Sequence, residues 1–283
     1  MWPRTIVDDT GARITLSAKP ARIVSLAPSN TEILFDLGVG RSVVGDTTAC
    51  DYPAAARQVP KVGGYPIREE AVLARNADLV VAVQSINGPT ITALRRLDIP
   101  TLVVNPRTIR GVYRAIQMIG TACGASAKAG AIVASMRGAF KRLSDRTARA
   151  KSHPKVLIAY GANPVYTTGS GSFIDDVVRI AGGANIAHSA ASGGIISSEE
   201  VIAARPDDII CSPDLQASLM RLPGWNVVPA IRFKRFFAPS DPETLERPGP
   251  RLARAALQLA EYLHPRLFNT RAFAGSPNVV PKR

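Results

Sequence analysis

The residues best suited to nucleophilic, acid–base or metal chemistry in this 283-residue chain are three histidines, three cysteines and six tyrosines. Their spacing argues against most such chemistry. Cys50, Cys123 and Cys211 are an odd number at wide intervals with no CxxC pair, so neither a structural zinc site nor a disulfide framework is implied. Small buried apolar thiols are the expected role of Cys123 and Cys211. His153, His188 and His264 fall in unrelated segments and suit neither a triad nor a metal cluster. His188 follows Asn185-Ile186 in a Gly/Ser-rich loop and is the one histidine placed to face a ligand; a solvated loop histidine is the plainer reading. No GxxxxGK[ST], HExxH or GxSxG is present, so the Gly169–Ser172 turn is not a nucleotide phosphate loop. No catalytic residue, metal ligand or resident cofactor is expected.

Binding chemistry is better represented. Ligands of open parallel sheets sit beyond the carboxyl ends of the strands, close to helix N-termini with partial positive charge. The turns there are Ala27–Asn30, with Pro28 and Ser29, and Ala162–Ser172, with Asn163. Tyr160 and Tyr166 flank Asn163-Pro164, a pair of rings able to grip a large flat ligand, although Tyr160 is equally suited to a core.

These turns need elements to hold them. Arg22–Leu26 is a short apolar run between prolines, and Lys155–Tyr160 is a second, after Pro154; both read as buried strands. A helix follows each. The first is expected to open on a capping box, Ser29 to Glu32, and to stop at Gly38; the second is expected to open at Ser172, with Asp175 at the same spacing, and to stop at Gly182-Gly183. A longer match supports a duplication. Residues 70–81 align without gaps with residues 199–210: Glu70 recurs as Glu199, Val72 as Val201, Ala74 as Ala203 and Asp78 as Asp207, at a constant offset of 129. Each segment predicts a short helix, a turn at the acidic residue and a buried strand. A helix over 90–97 and a strand over 101–104 continue the alternation, which argues for βαβ units and a parallel sheet in each half.

Between the halves, residues 126–151 contain no proline and place Ile132, Val133, Met136, Phe140 and Leu143 at helical spacing, which predicts a single helix of about 37 Å at 1.5 Å per residue. The expected organisation is an N-terminal strand and turn segment (1–20), an N-terminal lobe (21–125), the linking helix (126–151), a C-terminal lobe closed by an amphipathic helix (152–264) and a disordered tail (265–283). The fold class is α/β: two Rossmann-like lobes with central parallel sheets, joined by one long rigid helix.

A 46% hydrophobic and 20% charged composition can bury a real core, and no stretch approaches the roughly 20 apolar residues of a membrane span. The net charge of +13 raises nucleic acid as a partner, but the basic residues are spread out and no helix-turn-helix, zinc-finger or RNP-like pattern accompanies them. No nucleic-acid partner is expected; a solvated basic face, with mild attraction for anions, is. The opening MWPRTIVDDTGARITLSAKP has no apolar core or cleavage site and reads as strand and turn rather than a signal peptide.

Taken in order, Ile23–Glu32, Gly45 with Asp51-Tyr52-Pro53, Lys61–Tyr65, Ala77–Val81, Tyr160–Gly169 and Ala181–Ile186 resemble the class III periplasmic substrate-binding proteins of ABC importers. The second-lobe motifs are nearest to vitamin B12 (cobalamin)-binding members, and the resemblance covers roughly residues 20 to 264. It implies a non-enzymatic, monomeric, periplasmic carrier that captures cobalamin or a related corrinoid in an inter-lobe cleft and delivers it to a membrane permease. The signal that a periplasmic carrier needs is not visible in this sequence. Glu70 and Glu199 would dock the permease; their ordinary role would be carboxylates at a helix start. The corrin would be held by Tyr65, Tyr166, Asn163, Pro28 and Ser29, with an Asp241–Arg247 pair close by. Ala49 stands where a tyrosine is expected, and the loop 190–195 lacks an expected tryptophan. Haem, taken by Tyr65, Tyr166 or His188, and ferric siderophores, taken by Arg247, Arg110 or Arg107, are the alternative ligands. A cytoplasmic bilobal metallocluster-type protein is the alternative of another class.

Overall fold

The computed structural model describes residues 2–190 and 194–268, and the chain divides into two compact units. The first comprises Met1–Met136 together with Arg247–Pro250; the second comprises Arg137–Glu246 and Arg251–Arg283.

The first unit opens with an antiparallel pair, β1 (Arg4–Val7) and β2 (Arg13–Leu16). Asp8, in the turn after β1, accepts from Thr10 N and from Val103 N (3.1 Å), which fastens this hairpin to the main sheet. There follow β3 (Ile23–Ser25), α1 (Pro28–Asp36), β4 (Val43–Gly45), α2 (Glu69–Leu73), β5 (Leu79–Val83), α3 (Gln84–Arg96), β6 (Thr101–Val104) and α4 (Ile109–Ala122). The parallel sheet has the order β4-β3-β5-β6. β5 and β6 are buried along their whole length, as strands covered on both faces must be. Helix α5 (Ser126–Thr147) carries residues of both units, the division falling after Met136.

In the second unit come β7 (Lys155–Ile158), β8 (Val165–Tyr166), α6 (Phe173–Ile180), β9 (Ala184–Asn185), β10 (Ile195–Ile196), α7 (Ser198–Ala204) and β11 (Asp208–Ile210). They are followed by α8 (Gln216–Leu219), α9 (Pro229–Arg232), β12 (Phe236–Phe237), α10 (Leu252–Leu263) and α11 (Pro265–Phe268). The parallel sheet runs β9-β7-β11-β12. With the separate β8–β10 pair set aside, both sheets have the order second, first, third, fourth, so the duplication read from residues 70–81 and 199–210 extends to the whole topology. A fully buried Trp225 anchors the second core among Leu157, Val201 and Leu219; fully burying an aliphatic neighbour such as Leu157 contributes roughly 1.5–3 kcal/mol.

The repeated acidic residue does the same work twice. Asp78 accepts from Ala21 N at 2.8 Å and Arg22 N at 3.0 Å, at the entry to β3. Asp207 accepts from Lys155 N at 2.8 Å, at the entry to β7. Each lies two residues beyond a left-handed residue, Asn76 (φ 46°) in the turn after α2 and Arg205 (φ 51°) at the C-cap of α7, again 129 apart.

Several sequence expectations change. Ser29 does not cap α1: the N-cap is Ala27, and Pro28 occupies the first turn, where its missing N–H costs nothing. The polar run instead faces inward, with Thr31 Oγ1 donating to Ser25 Oγ at 2.8 Å and Glu32 buried. Ser172 does cap α6, accepting from Asp175 N at 3.1 Å. The helix expected over 90–97 begins earlier, at Gln84, and kinks at Asn87. The histidines are not all scattered: His153 Nδ1 and His264 Nε2 both meet the Gly182 carbonyl, at 2.9 and 3.1 Å. Gly182 has φ +82°, and a Cβ there would sit 2.5 Å from His264 Nε2. Within the tail expected to be disordered, Pro265–Phe268 forms α11 and buries Phe268; the rest of that tail lies outside the described residues.

Candidate ligand-binding site

In each unit the candidate groups come from loops at the carboxyl edge of the sheet. In the first, Pro28 and Ser29 follow β3, Tyr52 and Tyr65 follow β4, and Arg107 and Arg110 follow β6. Ser29 is buried and Pro28 half-buried, whereas Tyr65 is 81% exposed and Tyr52 40%. The two loops after β4 are joined by Thr48 N donating to Gly63 O at 2.9 Å and Val62 N donating to Asp46 O at 2.8 Å. That pairing carries Tyr52 and Tyr65 on adjacent backbone segments. Tyr52 was not a sequence-based candidate; the motif Asp51-Tyr52-Pro53 held it, three residues beyond the Ala49 that stands at the expected aromatic position.

Beneath these rings is a charged knot. Lys61 Nζ donates to Asp46 Oδ1 at 2.7 Å and to the carbonyls of Cys50 and Ala56 at 3.0 Å each. Asp46 is fully buried, and loss of hydration pushes its carboxyl up to about 6 against the opposing pull of Lys61. Cys50 is buried between the Thr31 and Thr47 hydroxyls. Burial likewise pushes the Cys123 and Cys211 thiols up to about 12, and all three cysteines are unpaired thiols. Thiols so far from ionisation are inert packing groups.

Arg247, expected to pair with Asp241, lies instead among first-unit residues. Its Nη1 donates to Asp51 Oδ1 at 2.6 Å and reaches Glu32 Oε1 at 3.4 Å, and its Nη2 donates to the Ala49 carbonyl at 3.0 Å. Its side chain is 9% exposed. Burial works against the Asp51 charge, but the Arg247 hydrogen bond and charge outweigh it and hold that carboxyl below its ordinary range. Asp241 is bonded to Arg251. Arg251, ten residues beyond Asp241 at the start of α10, takes the partner expected for Arg247.

In the second unit, Tyr160, Asn163 and Tyr166 follow β7. Tyr160 N donates to Tyr166 O at 2.9 Å, so the two tyrosines lie side by side, 47% and 48% exposed. Neither is a core residue. A Cβ on Gly161 would stand 2.8 Å from Tyr166 Cδ2, so the glycine lets that ring lie against the turn. Tyr166 pairs across strands with Ile195, itself 58% exposed, and Asn163 is exposed too. His188 bonds Asp175 at 3.1 Å with a side chain 62% exposed, which makes it a held but solvent-facing histidine. The loop 190–195, expected to lack an aromatic contact, lies partly outside the described residues. A cavity of about 30 Å³ beneath Tyr160, bordered by Cys211 and Glu246, is far too small for a cofactor-sized ligand. The tyrosines therefore line an open edge in this unit.

Glu70 and Glu199 are exposed in the first turns of α2 and α7. Each helix returns the chain to the amino edge of its sheet, so each glutamate sits toward the carboxyl edge. Among the described residues no group of three His, Cys, Asp or Glu side chains is placed to hold a metal ion, and no helix is long and apolar enough to cross a membrane.

The model of the periplasmic binding protein family matches residues 23–241. The chain belongs to that family. An ABC transporter substrate-binding lipoprotein of Bacillus subtilis (strain 168) is 33% identical, over 95% of this chain and 88% of its own length. A cobalamin-binding protein of Halobacterium salinarum is 32% identical over 74% of this chain; the match spans 58% of that longer protein. Among solved structures, a periplasmic heme-binding protein from Roseiflexus sp. RS-1 in apo form superposes with a TM-score of 0.78 at 26% identity, covering 87% of this chain and 98% of that one. Two parallel-sheet units of equal topology are the architecture of a periplasmic binding protein, and members of the family bind rather than transform their ligands.

Proposed function

We propose that the chain is the substrate-binding component of an ABC importer and that its ligand is a large planar metallo-tetrapyrrole, cobalamin first. The observation that carries this reading is the doubling of one arrangement. Each unit offers exposed tyrosines at its carboxyl edge, Tyr52 and Tyr65 in the first and Tyr160 and Tyr166 in the second, with an exposed glutamate nearby. Aromatic rings with a few polar neighbours suit the faces and edges of a corrin, and Asn163 supplies one such neighbour. The cobalamin-binding relative supports the ligand class, and the lipoprotein relative supports an extracytoplasmic location and a permease partner. Pro28 and Ser29 line the edge of the first sheet. Asp241 and Arg247 are held by Arg251 and by Asp51, which leaves them a supporting part rather than direct grip.

Haem is the second reading, favoured by the likeness to a heme-binding protein and by the exposed phenols of Tyr65 and Tyr166, either able to meet iron. Titration of the purified protein with cyanocobalamin and, separately, with hemin tests the choice by absorbance and calorimetry. Saturable one-to-one cobalamin binding at micromolar affinity or better is the expected result. A shifted Soret band with no cobalamin binding would move the assignment to haem. Binding of neither would refute the tetrapyrrole reading and turn attention to ferric siderophores, for which Arg107 and Arg110 at the same edge are the exposed cations.

A further inference from the structure

The amino edge of the second sheet, opposite the tyrosines, has a different character. Three segments meet there. Asp207 N donates to Lys155 O at 2.8 Å, Ala230 N donates to Pro206 O at 3.0 Å, and Arg235 Nε reaches Asp207 O at 3.2 Å. Lys155 Nζ also reaches Ala204 O, at 3.1 Å. This knitting gathers Lys155, Arg205, Arg232, Lys234 and Arg235 at one edge. Against them stand Asp207, which the Lys155 amide engages, and Asp208, which is buried on Arg235.

In the middle of the cations is Phe233, 59% exposed, with the Arg232 guanidinium 5.6 Å from its ring. The chain turns sharply after it, Lys234 having φ 51°. A large aromatic left in water among cations has no packing role. A protein core does not use that combination. A bilayer interface does: lysine and arginine meet anionic headgroups while a ring enters the apolar boundary.

We propose that this edge is a docking surface for an anionic phospholipid bilayer. Phe233 argues for lipid over an inorganic polyanion such as polyphosphate, which offers no apolar layer for the ring. The surface lies at the end of the sheet opposite Tyr160, Tyr166 and Glu199, so a carrier resting on lipid by this edge keeps the second unit's ligand groups in solvent. Contact through Glu199 then requires it to leave the bilayer and turn over. The inference does not depend on which ligand is carried.

Co-sedimentation of the full chain with phosphatidylcholine vesicles, with and without phosphatidylglycerol, tests it. Binding is expected only with phosphatidylglycerol and is expected to fall steeply as salt is raised. Replacing both Arg232→Glu and Lys234→Glu is expected to weaken partitioning by about 25-fold or more, roughly five-fold per cation removed. Phe233→Ser is expected to weaken it several-fold with the charge intact. All three positions are exposed, and circular dichroism checks that the variants fold. Equal binding to both vesicle types, or full binding by the charge-reversed variant, would overturn the proposal. Retention on immobilised polyphosphate that is unchanged by Phe233→Ser, with no vesicle binding, would overturn it in favour of a soluble polyanion.

Discussion

Arg247 is the residue whose role changed most between sequence and structure. A guanidinium 9% exposed against a buried glutamate and a half-exposed aspartate is a fixed part of the first unit. Removing one partner of a buried ion pair costs more than the pair contributes, because the other charge is left in a poor environment. Arg247→Met is therefore expected to destabilise the protein by about 3–5 kcal/mol in urea unfolding at neutral pH. The Asp51 carboxyl is held below its ordinary range, so its ionised form contributes stability above the usual carboxylate pKa, and this is lost as pH falls through the depressed value. The gap between wild type and variant should accordingly narrow in acid. A gap that stayed constant, or a loss below about 1 kcal/mol, would mean that Arg247 is not an anchor.

At the scale of elements, Asn87 holds the turn between β5 and α3. Its Oδ1 accepts from Val83 N at 2.8 Å and its Nδ2 donates to Leu26 O at 3.1 Å, with the side chain buried. The kink follows from this, since a backbone at φ −109°, ψ 20° lets the amide reach both partners. Asn87→Ala would leave two buried backbone groups unsatisfied, at about 1–3 kcal/mol. The expected outcome is a loss of that size in chemical denaturation followed by circular dichroism. A loss under about 0.5 kcal/mol would show that the kink stands without the asparagine. The same scale explains why Ser172 was legible as a cap and Ser29 was not. Ser172 is also buried, but it follows the Gly169–Gly171 turn and its hydroxyl is left to accept from Asp175 N. Ser29 is buried beside Thr31, which bonds Ser25 and Cys50, and a proline takes the first turn.

At the scale of the molecule, duplication is the organising fact. Glu70 and Glu199 share a repeat position, a helix start and an exposed carboxyl edge, which supports their proposed part in permease docking. Replacing both with alanine is expected to abolish ligand uptake in a reconstituted transporter while ligand affinity stays unchanged. Transport that persists, or affinity that falls, would remove docking from their role. Neither side chain is buried or paired with a core group, so stability is a suitable control.

The sequence by itself determined the alternation of strand and helix, the two-fold repeat and the carboxyl-edge loops, because hydrophobic period and turn chemistry are local and the repeat is written twice. It also supplied Tyr65, Tyr166, Glu70 and Glu199 as candidates, all four of them exposed. Only the tertiary structure decided that Tyr52 stands exposed, that His153 and His264 share one carbonyl, and that Arg247 turns to Asp51 while Asp241 takes Arg251. Each depends on which long side chain meets which charge across residues far apart in the chain, and on which surfaces are covered. Spacing along a sequence does not encode these choices; packing does.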